Sequence, residues 1–351
     1  MLDGELDALF APFTRQPRIL VAVSGGPDSS ALLFLAARWR ARRSEGPELF
    51  AATVDHGLRP ESGMEATAVA ALAAQLGIPH AVLLWTGRKP ERGIQEAARE
   101  ARYALLGAQA RSLGAPALAL AHTLDDQAET VLFRMARGSG LSGLRGMQAE
   151  RAREGLTLLR PLLDVPKSRL VATLEAAGIA YARDPSNLDT RFARPRLRAM
   201  APGLTREGLD ARRLARLATR LARADAALEA ATDTAAGDLS LGTRGTVTLD
   251  LPGFAALPDE IALRLLGRVI GAVGTEGPVE LAKLEAFLEV LRAAMAPPAA
   301  PFRRTLAGAV VSLAGFQLHV SPAPPRGMGG RIASNSSDKK AAILGKWGPR
   351  S

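Results

Sequence analysis

The sequence predicts an α/β fold, a parallel sheet with helices on both faces, followed by a helical linker and a small α+β domain. Two observations carry this prediction. Short apolar runs alternate with longer amphipathic stretches through about Arg137, the pattern of strands joined by crossover helices. Beyond about Ala201 the alternation gives way to an Ala/Arg-rich helical segment and then a strand-rich end.

The first element is Arg18-Ile-Leu-Val-Ala-Val23, a buried-strand run, followed by a helix from about Ser29 to Arg43. Leu49 to Asp55 is a second strand, with a helix from about Glu61 to Leu76, and His80 to Trp85 is a third. A helix over about Gly93–Leu113 leads to a fourth strand, Pro116–His122, and a helix from about Asp125 to Arg137. In such sheets ligands sit beyond the carboxyl ends of the strands, so residues just after each strand are the first candidates for a site. Ala201-Pro-Gly203 marks a boundary. Past it, Leu214, Leu217, Leu221 and Leu228 fall at helical spacing, with Arg212, Arg216, Arg220 and Arg223 on another face. Helices over about Ile261–Val273 and Val279–Ala294 precede the strand-rich end. The expected domains are therefore 1–200, a linker over 201–238, a small α+β domain over 239–325, and a Gly, Ser and Lys-rich flexible tail over 326–351.

Composition narrows the chemistry. Among 351 residues there is no cysteine, which excludes disulfides, thiolate zinc sites, iron–sulfur ligation and covalent thiol or persulfide chemistry by this chain. The net charge is +10, and Arg134 to Arg198 holds 13 Lys and Arg against 6 Asp and Glu. That local surplus would attract a polyanion, although a compositional preference for arginine explains a basic balance equally well. An acidic N-terminus, with Asp3, Glu5 and Asp7, does not suit an export signal, and no uncharged stretch reads as a membrane span. A cytoplasmic protein without membrane attachment is expected.

The sharpest motif is Ser24-Gly25-Gly26-Pro27-Asp28-Ser29, between the first strand and the first helix. Two glycines allow close backbone approach, and a helix start offers free N–H groups and a positive dipole end, which together suit a phosphate. An ordinary turn capped by Asp28 or Ser29 is the alternative. After the fourth strand come His122, Asp125, Asp126 and Glu129, of which Asp125 and Glu129 share a helix face. Clustered carboxylates beside a polyphosphate suit Mg²⁺ or a substrate ammonium, with Asp28 and Asp125 the candidate metal ligands. Acidic helix capping is the competing explanation. Asp55 ends the second strand. Arg134 and Arg137 lead into Gly138, Gly140, Gly143 and Gly146, too closely spaced for a stable helix and suited to a basic loop that orders on RNA.

These residues resemble the PP-loop (N-type) ATP pyrophosphatases, whose signature is S-G-G-x-D-S after the first strand. The resemblance implies that Ser24, Gly25, Gly26, Pro27, Asp28 and Ser29, with His122, bind ATP. Val54-Asp-His-Gly-Leu-Arg59, the segment Ala121 to Met147, Arg160-Pro-Leu-Leu163 and Asp184-Pro-Ser-Asn187 narrow it to the members of that family that attach lysine to a wobble cytidine of tRNA. By resemblance, Asp55, Asp125, Asp126, Glu129 and Arg137 are catalytic, and Arg134, Arg194, Arg196 and Arg198 contact tRNA. The implied cofactors are ATP and Mg²⁺, and the implied partners are free lysine and a tRNA(Ile) with a CAU anticodon; a homodimer is compatible. Pro195 departs from the family pattern, fixing the backbone and removing an amide donor. Other adenylating members, a tRNA thiolase or a small-molecule synthetase, are the alternatives. Both commonly need cysteines.

Overall fold

The computed structural model describes residues 1–57, 62–87, 89–90, 93–182, 193–243, 245–296 and 300–324, excepting the side chains of 193–195 and 240–243. The tail over 326–351, the segment Asp184–Asn187 and Arg191 lie outside the described residues. Two compact units form, Met1–Gly138 with Gly143–Arg220, and Ser139–Ser142 with Leu221 onward.

The first unit opens with α1 (Asp3–Leu9) and continues through β1 (Arg18–Ala22), α2 (Pro27–Ala41), β2 (Glu48–Asp55), α3 (Ser62–Gln75) and β3 (His80–Leu84). Next come α4 (Ile94–Ser112), β4 (Ala117–Ala119), α5 (Leu124–Met135), and the single turn α6 (Leu141–Leu144), whose residues are divided between the two units. The hairpin β5 (Glu150–Arg153) and β6 (Leu156–Leu159) precedes α7 (Lys167–Ala176) and α8 (Ala193–Arg206).

The sheet order is β3-β2-β1-β4-β6-β5, parallel except for the edge strand β5. From β1 the chain steps outward to β2 and β3, then crosses to place β4 on the other side of β1. That reversal opens a crevice at the carboxyl ends of β1 and β4. β1 lies at the centre because Ile19, Leu20 and Val21 are all fully buried between the helical layers. On one face Ile19 and Val21 join Leu32, Leu35 and Trp39 of α2; on the other, Leu20 joins Leu106 and Ala110 of α4.

Two local features differ from the sequence expectation. The β5–β6 hairpin was not anticipated, because β5 is polar and largely exposed; Glu154 and Gly155, both at positive φ, make its two-residue turn. Ala201, Pro202 and Gly203 lie inside α8, since packing of α8 on α5 overrides the weak helix propensity of Pro202 and Gly203. Pro195 falls in the first turn of α8, where its missing N–H has no intrahelical partner to lose.

α9 (Ala211–Leu239) carries the Leu/Arg periodicity and runs on into the second unit. That unit contains β7 (Ser240–Thr243), β8 (Thr246–Asp250), α10 (Leu251–Ala256), α11 (Asp259–Val273), α12 (Leu281–Met295), β9 (Arg303–Leu306), β10 (Ala309–Ala314) and β11 (Gln317–Pro322). Its antiparallel sheet has the order β7-β8-β11-β10-β9, and Leu265, Leu266, Val269 and Ile270 of α11 pack against Leu318 and Val320. Within it Asp225, 1% exposed, accepts from Ser142 Oγ at 2.6 Å and pairs with Arg264 Nη1 at 2.8 Å.

Candidate active site

The loop after β1 is built to leave backbone donors open. Gly25 takes φ +83°, a conformation a side chain would strain. The Ser24 N–H donates to Ser29 Oγ at 3.1 Å, and that hydroxyl donates to the Gly26 carbonyl at 3.1 Å, closing the loop on itself. Gly26 is the N-cap of α2, and no side chain caps this helix. Asp28 and Ser29 therefore do not cap α2. Its first-turn N–H groups, with the dipole behind them, have the character of an anion-binding helix start.

The helix that follows β4 starts differently. Thr123 caps α5 by accepting from Asp126 N at 3.3 Å, while Asp126 Oδ2 accepts from Thr123 N at 2.9 Å and Oγ1 at 3.0 Å. One oxygen of Asp126 thus closes a capping box. The other two carboxylates of the motif are directed elsewhere. Asp125 Oδ2 accepts the backbone N–H of Lys167 at 2.8 Å, and the buried Glu129 pairs through Oε1 with Arg198 Nε at 2.7 Å. Hydrogen bonding to Glu129 raises the pKa of Arg198 further above its ordinary value, so this guanidinium stays charged.

Lys167, unnoticed in the sequence, joins the two strand-end segments. Its Nζ lies 2.9 Å from Asp28 Oδ2, while its backbone N–H holds Asp125. Burial pushes the Asp28 carboxyl above the usual carboxylate range, and Asp125 and Asp126 push it further, against the pull of Lys167. Asp28 Oδ1 is buried without a hydrogen-bond partner among the described residues. The only available signals for Lys167 were its place soon after Arg160-Pro-Leu-Leu163 and the rarity of lysine, six residues in the chain.

This arrangement fits a divalent cation. Among the described residues no group of three or more acidic or histidine side chains could hold a metal alone. Mg²⁺ prefers one or two carboxylates together with phosphate oxygens and water, and Asp28, with an orphaned oxygen, and Asp125 supply that donor set.

The other sequence candidates make contacts of their own. His122 Nδ1 accepts from Arg160 Nε at 3.3 Å; Arg160 is buried and also donates to the Gln148 carbonyl at 2.8 Å. Asp55 accepts from Gly57 N at 2.7 Å, and hydrogen bonds from Ser62 and Gly57 hold its carboxyl below the usual range. Arg137, exposed just past α5, lies over the Phe133 ring at 4.2 Å. Arg134 Nη1 donates to the carbonyls of Gly143 and Gly146. The Gly-punctuated segment is thus tied down and contains a helical turn, contrary to the sequence expectation, because side chains from α5 satisfy its backbone. Arg196 is exposed on α8, and the side chain of Arg194 lies outside the described residues.

A phosphate-binding loop and an acidic helix start meeting at a β1/β4 reversal define an ATP-binding α/β protein of the PP-loop class, and residues 2–204 match the model of the PP-loop domain. The chain is 55% identical to a tRNA(Ile)-lysidine synthase of Rhodopseudomonas palustris, over 92% of this chain and 95% of the relative. It is 53% identical to that of a Bradyrhizobium species over 92% and 95%, and 52% identical to that of Methylobacterium nodulans over 89% and 92%. It belongs to the tRNA(Ile)-lysidine synthase family. A U34-tRNA thiolase of Methanococcus maripaludis shares the fold, with a TM-score of 0.54 at 17% identity, covering 62% of this chain and 77% of that one.

Proposed function

We propose that this protein ligates free lysine to carbon 2 of the wobble cytidine in the CAU anticodon of tRNA(Ile), consuming ATP and forming lysidine. The observation that carries the reading is the convergence of Asp28, Asp125 and Lys167 beside the uncapped start of α2, in a chain of the lysidine synthase family. The sulfur-inserting alternative is disfavoured by the absence of cysteine.

In the first step the cytidine 2-oxygen attacks the α-phosphorus of ATP, the α–β phosphate bond breaks, and pyrophosphate leaves. The loop from Ser24 to Ser29 holds the departing phosphates through backbone N–H groups and hydroxyls. Mg²⁺, held by Asp28 and Asp125, would neutralise phosphate charge there. In the second step the neutral ε-amine of lysine attacks carbon 2, the bond to the adenylate oxygen breaks, and AMP leaves. Asp55, kept ionised, and Asp125 are the carboxylates suited to orient the lysine and take its proton. Glu129 and Arg198 brace α5 against α8 at the rim of this site. Exposed Arg137 and Arg196 supply charge toward the tRNA backbone, with the second unit assisting.

The test is AMP release from ATP with lysine and unmodified tRNA(Ile) each omitted in turn, with mass analysis of the wobble nucleoside. Product that forms without lysine, or a nucleoside lacking the added lysine mass, rejects the assignment.

A further inference from the structure

Asp28 carries two unequal oxygens. Oδ2 meets the Lys167 ammonium at 2.9 Å, whereas Oδ1 is buried with no hydrogen-bond partner among the described residues. An orphaned carboxylate oxygen in a low-dielectric site is costly unless a ligand supplies its partner. Lys167 and Arg198 are the cations acting on Asp28, Asp125, Asp126 and Glu129, so among the described residues carboxylates outnumber positive charges at the free site.

Lys167 is anchored at one end and free to move at the other. Its backbone N–H is held on Asp125 Oδ2, fixing its Cα at the start of α7, while its side chain is 41% exposed and ends in a flexible four-carbon stem. The ammonium can leave Asp28 without disturbing α7, and the open N–H groups at the start of α2 mark where an anion would draw it.

We propose that Lys167 is a cation placeholder and phosphate ligand. In the ATP-free protein it occupies Asp28; when a divalent cation and phosphates enter, the cation takes Asp28 and the ammonium moves onto the β- and γ-phosphates, which later leave as pyrophosphate. The exchange swaps one ion pair for another, so neither charge is left buried and alone. It also orders events, because a cation without phosphate must evict the lysine with no new partner for it, whereas a cation arriving with polyphosphate supplies one. This inference deepens the ATP-dependent reading above.

The test uses the full chain with K167M and K167R, titrated with Mn²⁺ alone and with Mg²⁺–pyrophosphate, followed by Mn²⁺ electron paramagnetic resonance and calorimetry. K167M should bind Mn²⁺ alone about 5- to 10-fold more tightly, because its competitor is gone, yet bind pyrophosphate at least about 10-fold more weakly. K167R should keep pyrophosphate binding within about threefold of the parent, since a guanidinium also pairs with phosphate, and this holds the test open should K167M not fold. Affinities for Mn²⁺ and pyrophosphate that fall together, or neither changing in K167M, overturn the proposal and leave Lys167 a brace; so does a K167R that loses pyrophosphate. No tRNA or lysine is present in these titrations, so their failure leaves the lysidine reading standing, and failure of lysine dependence leaves this one.

Discussion

Arg198 Nε donates to Glu129 Oε1 at 2.7 Å, across 69 residues of sequence, and so ties α8 to the acidic helix of the ATP site. Glu129 is buried and its Oε2 has no partner among the described residues, where Arg198 is what compensates its charge. Replacing Arg198 by methionine should cost about 1–3 kcal/mol in urea unfolding, below the full penalty for a buried pair because the arginine is 43% exposed. E129Q with R198M should recover part of that loss, since the neutral amide removes the uncompensated charge; a double mutant no more stable than R198M alone would contradict this account.

The loop from Gly143 to Met147 depends on a glycine. Gly146 has φ +71°, and a Cβ there would sit 2.7 Å from Gln127 Oε1. Gln127 in turn clamps Met147 through both of its backbone groups, at 2.9 and 2.7 Å. G146A should therefore destabilise the protein by about 2 kcal/mol and expose the segment to proteolysis, measured by melting and limited digestion.

Two neighbouring arginines should separate by role. Arg134 holds carbonyls of the loop, so R134M should lower the melting temperature and leave the salt slope of tRNA binding largely unchanged. Arg137 is exposed over Phe133, and R137A should weaken tRNA binding and reduce the logarithmic salt slope by about one, with little effect on melting. Filter binding across a salt series decides between these assignments.

Stability should fall as pH drops below the ordinary imidazole value of 6.5. Burial depresses the pKa of His56, with Arg102 and Lys89 adding to the effect and Asp55 opposing it, and burial does the same to His80. Between the ordinary and the depressed values the unfolded chain binds protons that the folded one does not, so unfolding gains on acidification. Above that window both states hold neutral imidazoles and the effect vanishes. Urea midpoints of the parent, H56N and H80N between pH 7.5 and 5 should show the variants losing less stability; parallel curves would refute it.

Much of the first unit was readable from local pattern. Apolar runs marked β1 and β4, since a strand buried on both faces must be apolar throughout, and also marked β3, an edge strand that leaves its apolar Val82 and Leu84 exposed. The β5–β6 hairpin escaped, because exposed edge-strand residues such as Arg151 and Glu150 carry no such signal. The turn from Ser24 to Ser29 between β1 and α2 was recognisable because it is made by consecutive residues whose backbone conformation the glycines help determine. Which carboxylate does what was not: Asp125, Asp126 and Glu129 are near neighbours in sequence, yet one meets Lys167, one closes a helix cap and one meets Arg198.

By itself the sequence determined the class of chemistry, through a glycine loop that exposes backbone donors, acidic residues at a helix start, and the absence of any thiol. Only the tertiary structure decided the pairings. Lys167 reaches Asp28 across 139 residues and Asp125 across 42 because β4 lies beside β1 and α7 packs on α2. Such contacts depend on strand order and helix packing, and local periodicity carries no record of either.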